Sequence, residues 1–303
     1  GKAQVSADVA LYQGEHANGP DASHSLGWHG AARAGAAALP GQDGLLDEMA
    51  RAISRNELVM HYQPKIRLDT GEVVGFEALV RWRHRRKGLV GPSHFVPAVE
   101  GSPLLAAFTD KTIELALAQC ALWQARGHFL KIAVNISARI LEDDGFVPRL
   151  LRQLALYEVP ASRISLELTE TALLVNLAKG QAMVHQLRDQ GVSLSIDDFG
   201  AGYTSFTYLR EFMVPEIKLD CAFVTDLEVN RFNASLVRSL AMFCEALGAD
   251  FVAEGVERRD DWGTLLGLGC RIAQGYSIAR PMAGEDVLPW LREWSKPAVA
   301  LPV

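Results

Sequence analysis

Eight short strand-like runs, at 58–66, 73–82, 130–136, 163–168, 192–197, 214–219, 250–254 and 270–273, recur from about Leu45 onward, mostly separated by helical patterns. Repeated strand–helix units of this number and length favour an α/β fold closed into a (β/α)8 TIM-type barrel. An open doubly wound sheet is the alternative that pattern alone leaves standing. The helices show amphipathic spacing: Phe146, Leu150, Leu154 and Tyr157 share one face, and so do Leu236, Leu240, Phe243 and Leu247, with Gly248 placed as a C-cap.

Strand parity says more than strand number. In "ISLELTE" the apolar Ile164, Leu166 and Leu168 oppose Ser165 and Glu167, and in "VSLSIDD" Val192, Leu194 and Ile196 oppose Ser193, Ser195 and Asp197. Asn135 is in phase with Ala133, Glu77 with Gly75 and Arg81, and Glu254 with Val252, while Glu216, Lys218 and Asp220 oppose Ile217 and Leu219. If helices cover the apolar faces, six strands deliver polar groups into one lumen. Half-exposed antiparallel strands produce the same alternation, but the intervening helices leave few direct hairpins.

At 303 residues and 49% hydrophobic content the chain can bury a large core. Its net charge of −6 argues against a sequence-independent grip on a nucleic acid polymer. Cys120, Cys221, Cys244 and Cys270 are isolated, without zinc or disulfide spacing, which is expected of a reduced, cytoplasmic chain. No run is long enough to span a membrane, so direct membrane contact is not expected. The chain opens on Gly1 rather than Met, as a piece of a longer protein would, and residues 30–45, rich in Ala and Gly, read as a linker between an N-terminal segment (1–29) and a main domain (46–295), with a short tail at 296–303.

Glu77, Asn135, Glu167, Asp197, Asp198, Lys218 and Glu254 lie near the C-terminal ends of their runs, the rim where such barrels carry their chemistry. Five carboxylates crowded together raise one another's pKa unless something cationic intervenes, and divalent ions are the simplest remedy. An all-oxygen donor set selects Mg²⁺ or Mn²⁺ over Zn²⁺. The adjacent Asp197 and Asp198 suit a two-ion site of the kind that hydrolyses phosphoesters. Singly, each residue has a blander reading: an Asp before Phe-Gly as a turn residue, Glu167 and Glu170 as a solvated strand end, Lys218 as a counter-charge. Shared parity and position argue for the joint reading.

The motifs "FEALVRW" (76–82), "VNISA" (134–138), "ELTE" (167–170), "DDFGAGYTSF" (197–206), "KLD" (218–220), "EGVE" (254–257) and "QGY" (274–276) together resemble the EAL domain family of bacterial cyclic di-GMP phosphodiesterases. The resemblance implies a modified (β/α)8 barrel that hydrolyses cyclic di-GMP to linear pGpG with two Mg²⁺ or Mn²⁺ ions. It implies that Glu77, Asn135, Glu167 and Asp197 bind the first ion, with Asp197 bridging, and that Asp198 and Glu254 serve the second. Lys218 resembles the residue that orients the attacking water, and Gln274 a neighbour that holds that arrangement. Gln63 and Arg81 resemble substrate-binding residues, Arg81 on a phosphate, and Gln274 is counted with them. Glu170 resembles the anchor of the loop Gly200 to Phe206, through which members of the family form dimers, so a homodimer is expected; Glu257 fills a supporting position.

Phe212, Met213, Val214 and Pro215 depart from the usual Leu-Pro-Val-Asp, Thr171 replaces a common Ser, and "VEGSPLL" (99–105) is less acidic than the family norm. No ligand position is lost, so these departures bear on loop dynamics and dimer regulation. "ADVALYQGEHANG" (7–19) resembles the end of a GGDEF diguanylate cyclase domain, which implies such a domain upstream; an unrelated linker helix is the alternative. The rival functions are a catalytically inactive cyclic di-GMP receptor and a Schiff-base lyase built on Lys218. The acids around the lysine fit the second poorly, because they keep its amine protonated.

Overall fold

A computed structural model describes residues 42–169, 177–201 and 214–294. The expected segment 1–29, residues 30–41 of the expected 30–45 linker, Glu170, the loop residues Gly202 to Phe206 and the 296–303 tail lie outside them, while residues 42–45 begin the helix Gln42–Ser54 rather than continuing a linker. All eight expected runs are strands: β1 (Leu58–Arg67), β2 (Val73–His84), β4 (Ile132–Asn135), β5 (Ile164–Thr169), β6 (Ser193–Phe199), β7 (Glu216–Leu219), β8 (Asp250–Ala253) and β9 (Ile272–Gln274). Two short ones, β3 (Gly88–Val90) and β10 (Met282–Ala283), are added along β2 and β1.

The eight close into a ring in the order β1-β9-β8-β7-β6-β5-β4-β2, with β1 pairing back onto β2. The barrel is therefore closed, and the open sheet is excluded. Seven strands run parallel, whereas β1 is antiparallel to both its neighbours. That reversal follows from the connection: residues 68–72 form a tight turn with Gly71 at φ 67°, and a link this short can only bring the chain back antiparallel.

Helices take the apolar outer faces. Trp123, near the end of the helix Leu105–Gln124, meets Tyr62 of β1 edge-on at 4.9 Å and Phe76 of β2 at 5.8 Å between ring centroids. Its indole N–H donates to the Gly284 carbonyl at 3.2 Å, tying the start of the helix Gly284–Glu293 to the same wall. Each such aromatic contributes about 1.5–3 kcal/mol by burial.

In the helix Phe146–Leu156 the expected Phe146, Leu150 and Leu154 are buried, joined by Val147, while Tyr157 follows as the C-cap. The helix Arg231–Leu247 ends as expected on Gly248 at φ 69°. Its buried stripe, however, is Val237, Leu240, Ala241 and Cys244; Leu236 and Phe243 are half-buried and Leu247 is 45% exposed. The face is rotated from the expected one: Leu240 is common to both, but the small Ala241 and Cys244, rather than Phe243 and Leu247, complete the buried side. Among the described residues no helix is long and apolar enough to cross a membrane.

Just beyond β9, Gly275 lies against the backbone of Val256: a Cβ there would stand 2.3 Å from both the N and the O of that residue. Val256 N–H in turn donates to the Gln274 carbonyl at 3.1 Å. Backbone cannot yield as a side-chain tip does, so Gly275→Ala is expected to destabilise by about 2 kcal/mol or more. A lowered denaturant midpoint would register the loss, and an unchanged one would contradict this close packing.

Candidate active site

The lumen-facing residues form layers. Gln63 and Glu77 pair in register across β1 and β2, and Asn135 and Glu167 across β4 and β5. Asp197 on β6, Lys218 on β7, Glu254 just after β8 and Gln274 at the end of β9 complete the upper layer. All eight are buried, with Asp197 and Lys218 at 0% exposure.

Lys218 is the hub. Its Nζ lies 2.7 Å from Glu254, 2.9 Å from Glu167, 2.9 Å from Asp197 and 3.5 Å from Glu77. Glu77 is held from two further sides, by the Asn135 amide at 2.6 Å and by the Gln274 amide. Gln274 also donates to Gln63 at 3.2 Å, and Gln63 to the Ala279 carbonyl at 3.1 Å. Each strand thus presents a side chain already oriented by its neighbours.

Asp198 presents a problem of parity, since a regular strand would turn it away from Asp197. Pairing between β6 and β7 shifts register between Ile196 and Phe199, and Asp198 is left-handed at φ 52°. A bulge of this kind re-aims a side chain, and aspartate tolerates the left-handed region better than bulky residues do. Both carboxylates consequently serve one rim. Glu77, Glu167 and Asp197 offer oxygens within 4.8 Å of one another, and so do Asp197, Asp198 and Glu254. Asp197 belongs to both triads.

The electrostatics are strained. Burial drives the carboxyls of Glu167 and Glu254 well above the usual range, with neighbouring carboxylates adding to the shift. Asp197 is raised by burial, against the pull of Lys218, and Asp198 is pushed up to about 8 by burial and by Asp197. Burial acts the same way on Glu77, but Lys218 and the two amides outweigh it and hold that carboxyl below its ordinary value. Burial alone would lower the pKa of Lys218; the surrounding carboxylates outweigh it and keep the ammonium charged.

Five acids around one lysine leave a negative excess that hard cations would relieve. The buried Oδ2 of Asp197 has no hydrogen-bond partner among the described residues. An all-oxygen donor set with an open carboxylate oxygen at its centre fits a divalent cation of the Mg²⁺ or Mn²⁺ type.

Arg81 approaches the cluster through Glu77: half-buried, it donates to the Val80 carbonyl at 2.9 Å and interacts electrostatically with Glu77. Glu257 is exposed, outside the cluster. Glu170 lies outside the described residues. The structure also reveals a pair beneath the acids, the buried Lys65 and the half-buried Glu216, to which no role attaches from sequence. Parity marks both for the lumen, but nothing in it distinguishes them from filler.

The chain is 38% identical over 249 residues to cyclic di-GMP phosphodiesterase PA2567 of Pseudomonas aeruginosa, covering 82% of this chain and 42% of that protein. It spans less than half the length of the curated relatives it matches. Its fold superposes on a solved structure described as the PaMucR phosphodiesterase in complex with c-di-GMP, with a TM-score of 0.76 and 35% identity over 80% of this chain and 99% of that one. A manganese and cyclic di-GMP complex of Klebsiella pneumoniae BlrP1 superposes with a TM-score of 0.69 and 28% identity over 75% of this chain and 57% of that one. Residues 46–281 match the family model described as the EAL domain, and with a barrel of the same fold and a relative this similar, the chain belongs to the EAL domain family.

Proposed function

We propose that this chain is a metal-dependent phosphodiesterase that hydrolyses cyclic di-GMP to linear 5′-pGpG. The observation that carries the reading is the pair of carboxylate triads sharing Asp197 around Lys218 at the barrel rim. Glu77, Asn135, Glu167 and Asp197 would hold one Mg²⁺ or Mn²⁺ ion, and Asp197, Asp198 and Glu254 a second. Bound there, such ions supply an activated water and charge neutralisation at the phosphodiester.

The protein's own residues do the remaining work. Asn135 donates its amide hydrogen to Glu77, which leaves its carbonyl oxygen as the available donor atom. Lys218, kept protonated by its neighbours, is suited to hold and orient a water by donating hydrogen bonds and is unsuited to remove its proton. The same charge state speaks against a Schiff-base role, which needs the free amine. Gln274 keeps Glu77 in place, and with Gln63 and Arg81 it is assigned to substrate, the guanidinium facing a phosphate, which its planar fork suits. Glu170 is assigned, on family resemblance, to anchoring the loop after Gly200.

This reading also has the barrel operating in the cytoplasm as a homodimer downstream of a GGDEF domain. The resemblance of residues 7–19 supports the upstream domain, and a relative 35% identical over 245 residues is named a bifunctional diguanylate cyclase/cyclic di-GMP phosphodiesterase. Purified protein incubated with cyclic di-GMP in Mg²⁺, Mn²⁺ or Ca²⁺ is expected to yield pGpG in the first two. Tight binding with no product in any metal would leave the receptor reading in its place.

A further inference from the structure

One layer below the acids, Lys65 of β1 crosses the lumen toward β7. Its Nζ sits 2.6 and 2.7 Å from the two carboxylate oxygens of Glu216 and 4.0 Å from Oε1 of Glu167. The neighbouring lumen residues Gly75, Ala133, Ser165 and Ser195 are small, so a lysine can reach across. Lys65 is 5% exposed, while the Glu216 side chain, at 15%, borders a cavity at the opposite end of the barrel from the acids.

The distances are unequal in an informative way. Oε2 of Glu167 already accepts from Lys218 at 2.9 Å, whereas the buried Oε1 accepts no hydrogen bond among the described residues. An ammonium free to move would close on that open oxygen, since a charged hydrogen bond shortens to about 2.7–2.9 Å when nothing opposes it. What opposes it is Glu216, which engages Lys65 through both oxygens.

We propose that Glu216 is a positioning residue: by gripping Lys65 it holds that ammonium a step below Glu167, so that Oε1 of Glu167 stays open to a cation at the rim. This inference rests on the metal-dependent reading above. Lys65 is thereby close enough to offset the charge of Glu167 yet too far to occupy the ligand atom. Groups that orient a ligand from behind commonly change metal affinity by about 10–100-fold when altered.

Calorimetric titration of the full chain with Mn²⁺ alone tests this, with thermal melts run alongside. Glu216→Gln releases Lys65 and is expected to weaken Mn²⁺ binding about tenfold or more. Adding Lys65→Met in the same chain removes the competing ammonium and is expected to bring affinity back to within about threefold of wild type, or tighter. A merely structural pair would not be rescued in this way. Glu216→Gln binding Mn²⁺ like wild type, or a double variant as weak as the single, would overturn the proposal. If Glu216→Gln fails to fold, the charge-neutral double variant decides alone: unweakened binding supports the proposal and a tenfold loss ends it. Wild-type protein that binds no Mn²⁺ would bring down the metal reading itself, and this inference with it.

Discussion

Asp197→Asn is expected to lower cyclic di-GMP hydrolysis about a thousandfold or more, equivalent to about 4 kcal/mol of transition-state stabilisation. The substitution is isosteric, and the position is fully buried. What changes is chemistry: Oδ1 lies 2.9 Å from the Lys218 ammonium, Oδ2 is open, and Asp197 is the residue common to both triads. An amide gives up one of the four carboxylate charges facing Lys218 and offers one oxygen where the carboxylate offers two. Both candidate ion positions therefore suffer from one atom's replacement, which no other residue of the cluster can cause. Glu77→Ala, which empties only one triad and strands the Asn135 and Gln274 amides, is expected to abolish activity as well. Rates of pGpG formation at saturating Mn²⁺, with circular dichroism showing that the barrel is intact, provide the check. An Asp197→Asn enzyme with near-full turnover would mean that the shared carboxylate is not a metal bridge.

Much of this geometry is legible before any coordinates. Period-2 alternation follows directly from the pleat, so the inward placement of Glu77, Asn135, Glu167, Asp197, Lys218 and Glu254 is readable from spacing alone. Strand direction is not, because alternation is the same both ways along a strand; the antiparallel β1 is betrayed only by the five-residue link 68–72. Asp198 escapes parity altogether, since a bulge and one left-handed residue bring it to the rim. The rotated face of Arg231–Leu247 reflects a further limit: leucine spacing marks an amphipathic helix, but the small Ala241 and Cys244, rather than Phe243 and Leu247, complete its buried side. Lys65 and Glu216 carry the right parity without a motif, and only the distances between them distinguish a deliberate pair from two polar residues in a lumen.

Metal-free protein is expected to lose stability as pH rises from about 5.5 to 8.5, at up to about 1.4 kcal/mol per pH unit for each proton the cluster retains. The sign follows from the direction of the shifts. Asp198 holds its proton up to about 8 in the folded chain, against 3.8 as the ordinary value, and Asp197, Glu167 and Glu254 are raised by burial too. Between those limits the folded state binds more protons than the unfolded one, so raising the pH favours unfolding. Glu77, lowered by Lys218 and its amide partners, works in the opposite sense, but only below its ordinary 4.5. Lys218, raised, contributes stability that is lost only above its ordinary 10.5, so neither opposes the trend in this window. The carboxyls titrate as a coupled set, so the melt should report a broad slope rather than one step. Divalent ions bind the deprotonated cluster, and Mn²⁺ should therefore stabilise more at pH 8.5 than at 5.5, flattening or reversing the slope. Thermal melts in EDTA and in excess Mn²⁺ across this range read both effects. A metal-free barrel that grows more stable with pH would mean that the buried acids are ionised without help, which would remove the electrostatic reason for placing cations between them.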